Sequence, residues 1–286
     1  MVRDYLALSR PKDWLKNVFV LMPVPFALAS GATLDPRIFG LGLLAFCTAN
    51  SAVYSFNDAK DAERDKAHDK KKHRPVASGR VSVRGAFIWS GLLAAVAIAL
   101  SLSTARSGAT SVVAIYLLIN LIYSMGAKHV ALLDVFLLSS GFVLRVLLGC
   151  ALLAVPPSNP LLLCSYALAL FVALAKRRAD LIKGLDETHR PSLLGYTEAF
   201  LDQAMAITGA MTVVGYALYS LESAVLQPDR KFTTLPFVMF VVLDYLRLVH
   251  VRKSGGSPVD LVLASPGMLV AGVGWVLAVL WSIKFP

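Results

Sequence analysis

The chain has 286 residues, of which 57% are hydrophobic and only 16% are charged, and its mean hydropathy is +0.65. A soluble domain carries about 25% charged residues, so the composition excludes an ordinary soluble protein. It predicts an all-α polytopic membrane protein in which 1–286 form one domain. In such a protein, the basic residues behind the net charge of +10 mainly indicate which loops face the cytoplasm. We therefore expect no nucleic-acid partner.

Nine apolar stretches are long enough to be membrane spans, since a spanning helix needs about 20 mainly apolar residues. They lie at roughly 16–33, 37–57, 84–104, 109–126, 130–153, 160–177, 203–224, 233–250 and 263–283. The first could also belong to a cleaved signal peptide, because small residues at 27–29 look like a cleavage site. We expect an uncleaved first helix, because acidic residues and prolines flank or interrupt the run.

Basic residues concentrate in alternate connections between these spans. Most of the 28 lysines and arginines fall in the segments 1–16, 57–84, 126–130, 176–202 and 247–262. By the positive-inside rule, this asymmetry predicts a multi-pass protein of the cell membrane with a cytoplasmic N-terminus. A site built from the long polar loops would then face the cytoplasm.

The charged stretch 54–80 follows the second span, and its acids are regularly spaced. Asn57, Asp61 and Asp65 are four apart, and Asp58 is three before Asp61. Residues three, four and seven apart share a helix face, so we expect these groups to lie together. Ionisable groups at the end of a membrane helix are costly and usually functional. Because Mg²⁺ prefers carboxylate oxygens, the pattern predicts a Mg²⁺ site at Asp58, Asp61 and Asp65.

A basic run at 70–74, which includes Lys72 and Arg74, follows these acids at once. Cations beside metal-binding carboxylates suggest a substrate that carries phosphate groups. The alternative is a solvated loop whose positive charge only sets the topology, and it explains the lysines but not the acids.

Two further stretches on the same predicted face precede or follow a span. In 9–17, either an interfacial amphipathic helix forms, or Lys16 and Asn17 reach an anion. Tyr123 and Lys128 lie in the second stretch, and Arg145 lies beyond it inside a span, where it needs a partner or an anion. Asp134 is eleven residues away, about 16 Å along a helix, and cannot contact Arg145 directly. The partner of Arg145 is therefore a ligand or a residue of another helix.

The last charged stretch, 176–190, allows two interpretations. It could be a solvated helix end with ion pairs at Lys176–Asp180 and Asp186–Arg190. Alternatively it forms a second half-site, in which Asp180 assists the metal while Lys176 and Arg177 take phosphate.

Together these motifs resemble the UbiA superfamily of intramembrane prenyltransferases. Asn57-Asp58-x-x-Asp61-x-x-x-Asp65 after the second of nine helices is similar to the superfamily's NDxxDxxxD motif. Dispersed residues resemble one branch, the decaprenyl-phosphate phosphoribosyltransferases. These residues are Arg10-Pro11, Trp14-x-Lys16-Asn17-Val18, His68, Arg74-Pro75-x-Ala77-x-Gly79, Tyr123-Ser124, Lys128, Ser140-Gly141-Phe142-x-Leu144-Arg145, Lys176-Arg177, Leu235-Pro236-Phe237 and Asp260.

Two departures from the wider pattern bear on the acceptor. Asp180 stands where the resembled branch has glutamate, and the second DxxxD of aromatic prenyltransferases is absent because Asp180 and Asp186 are six apart. Both departures argue against an aromatic acceptor.

The resemblance implies a nine-helix bundle with a cytoplasmic site that uses Mg²⁺. The donor would be phosphoribosyl pyrophosphate (PRPP) and the acceptor a polyprenyl phosphate, whose chain lies in a groove open to the bilayer. The implied catalytic residues are Asn57, Asp58, Asp61 and Asp65. The implied substrate-binding residues are Lys16, Asn17, Tyr54, Lys72, Arg74, Tyr123, Lys128, Arg145, Lys176 and Arg177, with Arg74 and Lys72 on the ribose 5-phosphate.

Other functions stay open at this point. The same acidic motif would serve an enzyme that moves a prenyl group from a prenyl diphosphate to an aromatic or other small acceptor. A non-catalytic transporter or lipid-binding protein is the third possibility, and a homo-oligomer is compatible with all three.

Overall fold

The computed structural model describes residues 2–67, 71–184, 191–252, 261 and 264–283. Within these ranges the chain is helical, and the β-structure is an isolated bridge between Leu226 and Ile283. The all-α prediction is therefore confirmed. The α-helices are α1 (Val2–Ser9), α2 (Val24–Ala29), α3 (Pro36–Lys60), α4 (Ala62–Lys66), α5 (Val83–Leu102), α6 (Ser107–Met125), α7 (Leu133–Leu152), α8 (Asn159–Ile182), α9 (Glu198–Glu222), α10 (Leu235–Arg252) and α11 (Pro266–Ser282).

Seven helices in the described part of the chain are long and apolar enough to cross a membrane. They are α3, α5, α6, α7, α8, α9 and a stretch that includes α10, Pro228–Val251. The apolar helix α11 is shorter. The chain is thus a multi-pass membrane protein. The described residues do not form the nine complete spans that the sequence predicted.

The first predicted span, 16–33, differs from the single helix that its composition suggested. It consists of a 3₁₀ helix, Pro11–Leu21, followed by the short α2. Pro23 and Pro25 lie at this junction, and proline both lacks a backbone N–H and clashes with the preceding helical turn. Hydropathy alone cannot detect such a break.

The described chain forms two compact units, each of which has its own buried core. Unit 1 comprises Met1–Ala27, Ala32–Lys128 and Leu144–Pro156, and unit 2 comprises Leu28–Gly31, His129–Val143 and Pro157–Pro286. Unit 1 contains the acidic stretch, whereas unit 2 contains the predicted phosphate ligands of α8.

Close packing in unit 1 depends on glycine. A Cβ on Gly149 of α7 would lie 2.2 Å from the backbone oxygen of Val20, and one on Gly42 of α3 would lie 2.3 Å from Leu152. Small residues let helix backbones approach closely, which is how membrane helices gain van der Waals contact. These contacts hold the 3₁₀ helix of residues 11–21 and α3 against α7.

Hydrogen bonds fasten the amino-terminal segment to unit 1. Trp14 donates to Ser51 over 2.9 Å, Ser51 donates to the backbone oxygen of Ser9 over 2.7 Å, and Trp89 donates to the Ser9 hydroxyl over 3.0 Å. The segment that carries Arg10 is therefore anchored on both sides.

In unit 2, α8 and α9 pack through a similar close approach. A Cβ on Gly215 of α9 would lie 2.9 Å from the backbone nitrogen of Cys164 on α8. Phe171 and Tyr245 meet edge to face in the core, with ring centroids 5.1 Å apart. This packing positions the end of α8, where Arg177 and Arg178 lie.

Candidate functional site

The acidic stretch spans the junction of two helices. Helix α3 ends at Lys60 and α4 begins at Ala62, with Asp61 between them at φ −93° and ψ 5°. Helix-type hydrogen bonds continue across the junction, since the Asp61 and Asp65 amides donate over 2.9 Å to the carbonyls of Asn57 and Asp61. The helical register on which the sequence prediction depends is therefore kept.

Two of the acids, Asp58 and Asp65, are buried and share the guanidinium of Arg74. Asp58 is 2% exposed, and its Oδ1 accepts hydrogen bonds from Arg10 over 2.6 Å and from Arg74 over 3.1 Å. The same Arg74 nitrogen lies 2.6 Å from Oδ2 of Asp65, whose other oxygen is 3.9 Å from Lys71. Among the described residues, Oδ2 of Asp58 has no hydrogen-bond partner. Buried carboxylates need such partners, because an isolated buried charge is strongly destabilising.

The third acid pairs with a lysine from the end of α6. The Lys128 ammonium lies 2.6 and 2.7 Å from the two oxygens of Asp61 and 3.1 Å from Oδ1 of Asn57. Gly126 ends α6 with a φ of 153°, a conformation that L side chains rarely adopt. This turn carries the chain from α6 to the position where Lys128 meets the acidic stretch.

Arg10 is a site residue that the predicted set of binding residues missed. It links α1 to Pro11 in a left-handed conformation, with φ 47° and ψ 60°, which is strained for a residue other than glycine. Its guanidinium lies 4.8 Å from the ring centroid of Tyr54. The available signal in the sequence was a basic residue directly before Pro11, a proline that suits the start of a helix.

Lys16 approaches Tyr54 as well. Its ammonium lies 2.6 Å from the Asp13 carboxylate and 3.1 Å from the Tyr54 hydroxyl. The structure therefore places Lys16 near Arg10 through a shared aromatic residue.

Arg145 contacts another helical segment, one of the two alternatives that its sequence position allowed. Its Nε donates to Oδ1 of Asn17 over 2.9 Å, while the Asn17 amide donates to Cys47 over 3.1 Å. The guanidinium also lies within 5.1 Å of the Phe46 ring centroid and 5.5 Å of the Tyr116 ring centroid. Asn17 is thus buried in this contact.

Unit 2 holds a separate buried polar cluster around Asp134. Arg177 has no exposed side-chain surface, and its Nε donates to Asp134 over 2.7 Å. Ser192 and Tyr196 donate to the same carboxylate over 2.9 and 2.7 Å. Burial and this carboxylate raise the pKa of Tyr196, so it remains a hydrogen-bond donor at neutral pH. Asp180 lies 3.6 Å from Arg177.

The remaining predicted residues differ in their exposure. Lys72 and Lys176 are exposed, and Tyr123 is half-buried. Several sequence features lie outside the described residues, namely His68, Lys70, Asp186, Arg190 and Asp260.

The donor chemistry of the acidic stretch fits Mg²⁺, although the described residues do not form a metal cage. Among them, no three Asp, Glu, His or Cys side chains converge closely enough to hold a metal, because the acids face Arg10, Arg74 and Lys128. Mg²⁺ is usually bound by one or two carboxylates, with waters and substrate phosphates completing its shell. The buried Oδ2 of Asp58 supplies one such oxygen.

Comparisons with known proteins show which family the chain is related to. The model of the UbiA prenyltransferase family matches residues 17–250. A protein of Corynebacterium glutamicum named decaprenyl-phosphate phosphoribosyltransferase is 31% identical over 96% of this chain and 85% of its own length. One of the same name from Mycolicibacterium smegmatis is 34% identical over 77% of this chain and 71% of its own.

Solved structures show the same fold at lower identity. A UbiA homologue from Archaeoglobus fulgidus, bound to DMAPP and Mg²⁺, has a TM-score of 0.75 at 20% identity and covers 97% of each chain. The match to the family model extends over most of the chain and includes the acidic stretch. The chain therefore belongs to the UbiA prenyltransferase family.

Proposed function

We propose that the protein is a membrane transferase that moves the 5-phosphoribosyl group of PRPP to a polyprenyl phosphate and releases pyrophosphate. The observation that carries this proposal is the charge pattern around Asp58, Asp61 and Asp65, where each carboxylate meets a lysine or arginine. Such a site can hold a metal and several phosphates together. The names of the corynebacterial and mycobacterial relatives support the same reaction.

The proposed reaction exchanges one bond at the ribose. An oxygen of the lipid phosphate bonds to the anomeric carbon, and the bond from that carbon to pyrophosphate breaks. Positive charge develops at the sugar as in other glycosyl transfers. Because the lipid phosphate is already anionic, the protein needs no strong base, and positioning and electrostatics supply the acceleration.

Asp58, Asp61 and Asp65 would hold Mg²⁺, assisted by Asn57. The bound ion would neutralise the leaving pyrophosphate as a Lewis acid. The Mg²⁺ bound to the related archaeal protein supports the choice of this metal.

The basic residues divide into groups with different proposed roles. Lys128 and Arg10 already contact the acidic stretch, and we assign them to substrate phosphates. Arg74, with Lys72, would bind the ribose 5-phosphate. Lys16, Tyr54 and Tyr123 are assigned to the substrate as well, and Asn17 and Arg145 to the interior that supports Lys16. Lys176, which is exposed near the end of α8, is assigned to phosphate. Arg177 would bind phosphate in exchange for its buried partner Asp134.

The proposed topology keeps nine membrane passes, with a cytoplasmic N-terminus and active site. The broken segment 11–29 and the shorter α11 would be the two passes beyond the seven long helices. The asymmetry of lysine and arginine supports this orientation, and 1–286 would act as a single domain.

Donor choice separates the proposed reaction from prenyl transfer. Membranes that contain the protein would be given Mg²⁺ and polyprenyl phosphate with PRPP labelled in the ribose. Label should enter the lipid fraction, and membranes without the protein are the control. If no ribose label enters lipid, and a separately labelled prenyl diphosphate transfers its prenyl group to a phenolic acid, the protein is a prenyltransferase instead.

A further inference from the structure

The 3₁₀ helix Pro11–Leu21 is unusually long. It extends over 11 residues, whereas runs of more than about 3–4 residues are uncommon. Trp14 donates to Ser51 over 2.9 Å, and one 3₁₀ turn later Asn17 donates to Cys47 over 3.1 Å. Three residues of a 3₁₀ helix rise about 6 Å, as do four residues of an α-helix. Because the two partners lie four residues apart on α3, the 3₁₀ geometry keeps both pairs in contact.

The same geometry brings Asp13 onto Lys16, which lies between the two anchored residues. Side chains three residues apart eclipse in a 3₁₀ helix, and the Lys16 ammonium lies 2.6 Å from Oδ1 of Asp13. It also donates to the hydroxyl of Tyr54 on α3 over 3.1 Å. An ammonium has three N–H donors, and the described contacts engage two of them. The third is left for a substrate oxygen.

The ring of Tyr54 contacts a second cation. The guanidinium carbon of Arg10 lies 4.8 Å from the ring centroid, within the distance of about 6 Å for a cation–π interaction. Tyr54 lies one helical turn before Asp58, and Arg10 donates to that carboxylate over 2.6 Å. The hydroxyl of Tyr54 thus holds Lys16 while its ring contacts Arg10, so the two parts can be tested separately.

We propose that Asp13 and Tyr54 are positioning residues, which act on the substrate by holding the Lys16 ammonium in place for a phosphate oxygen. The inference rests on the proposed function, which assigns Lys16 and Tyr54 to the substrate, and it adds Asp13 and the way in which Tyr54 contributes. A lysine side chain loses rotamer freedom when it binds, and the two contacts impose that loss before the substrate arrives. Because the Lys16 side chain is 49% exposed, solvent weakens the ion pair, and the pair contributes orientation more than stability.

Double-mutant cycles on phosphoribosyl transfer test whether both residues act through Lys16. Asp13→Ala should lower kcat/KM about threefold, as expected for an exposed ion pair. Tyr54→Phe should lower it about tenfold, as expected for a hydrogen bond to a charged group. In a Lys16→Met background both changes should stay within about twofold. Asp13→Asn, which keeps an oxygen acceptor, should lose less activity than Asp13→Ala.

Asp4→Ala is the matched control for the loss of an ion pair. Asp4 pairs with Arg80 over 3.1 Å, and the side chains are 26% and 51% exposed, close to the 28% and 49% of Asp13 and Lys16. This variant should keep kcat/KM within about twofold of the wild type. The proposal would be overturned if Asp13→Ala matches this control, raises the rate, or has the same effect without Lys16.

Chemical labelling gives a second result that requires no turnover. The reference is Lys12, an exposed residue of the same 3₁₀ helix. With an amine-acylating reagent, Asp13→Ala and Tyr54→Phe should each raise the labelling of Lys16 relative to Lys12 about threefold, because the ammonium loses a partner. An unchanged ratio in both variants would overturn the proposal. If the ratio rises but the wild-type protein transfers no phosphoribosyl group from PRPP, only the proposed function fails.

Discussion

Arg10 donates a 2.6 Å hydrogen bond to Asp58 from a position 48 residues earlier in the chain. Asp58 is nearly inaccessible, whereas the Arg10 side chain is 24% exposed. The pair thus connects the amino-terminal segment to the end of α3, directly at the motif proposed to hold Mg²⁺. Every part of the proposed chemistry depends on how these carboxylates are balanced by cations.

Replacing Arg10 with alanine should destabilise the protein in the absence of Mg²⁺. Asp58 would keep Arg74 as its remaining partner, so we expect a loss of about 1–3 kcal/mol, not the full cost of an unpaired buried charge. Thermal unfolding of the purified protein measures this effect. Arg3→Ala is the control, because Arg3 is exposed on α1, the short helix that ends just before Arg10. Equal melting temperatures for the two variants would contradict the importance of this ion pair.

Replacing Lys128 with methionine removes the charge while keeping the length of the side chain. Loss of a hydrogen bond to a charged group costs about 1.5–3 kcal/mol, so kcat/KM should fall roughly tenfold to a hundredfold. The measurement is steady-state transfer of labelled phosphoribosyl groups. Lys60→Met, at the exposed last residue of α3, should change the rate little. If Lys128→Met matches this control, Lys128 has no role in the reaction.

Mg²⁺ with pyrophosphate should stabilise the wild-type protein against heat. A ligand at a hundred times its Kd adds about 2.7 kcal/mol of stability. Asp58→Asn should lose most of this gain, because it removes a charged oxygen ligand. Asp229→Asn should retain it, because the Asp229 side chain is 73% exposed. An undiminished thermal shift in Asp58→Asn would remove Asp58 from the metal site.

The Asp134 cluster predicts a stability effect in unit 2. Asp134→Asn leaves the fully buried Arg177 with the Asp180 carboxylate alone, 3.6 Å away. Breaking a buried pair costs about 3–5 kcal/mol, and we expect a loss near the lower end of that range. Tyr196→Phe removes two hydrogen bonds, the one donated to Asp134 and the one accepted from the Leu132 amide, and should cost about 1–2 kcal/mol. Denaturant unfolding in detergent measures both changes. The assignment fails if Asp134→Asn is no less stable than Tyr196→Phe.

The acidic stretch could be predicted from sequence because its spacing follows a helix and the helical hydrogen bonds continue through Asp61. The membrane helices were predictable for a different reason, namely that their apolar runs are long. The broken first span was not, because hydropathy registers neither the break at Pro23 nor the close contact of Val20 with Gly149, which lies far along the chain.

Partners across long separations could not be predicted either. Arg10 meets Asp58 from 48 positions away, and Arg177 meets Asp134 from 43 positions away. Sequence periodicity describes neighbours on one helix, so it grouped Asp58 with Asp61 and Asp65 without identifying their partners on other segments. Arg145 illustrates the same limit, because its eleven-residue distance from Asp134 excluded one partner but did not indicate Asn17.

The most direct test of the central claim uses purified protein in lipid nanodiscs with Mg²⁺, ribose-labelled PRPP and polyprenyl phosphate. We predict equal molar amounts of labelled lipid and released pyrophosphate, both abolished by a chelator and strongly reduced by Asp58→Asn. Asp229→Asn should behave like the wild type. The account would be contradicted if no labelled lipid forms while the same nanodiscs transfer a prenyl group from a prenyl diphosphate. That second reaction would show that the protein is active.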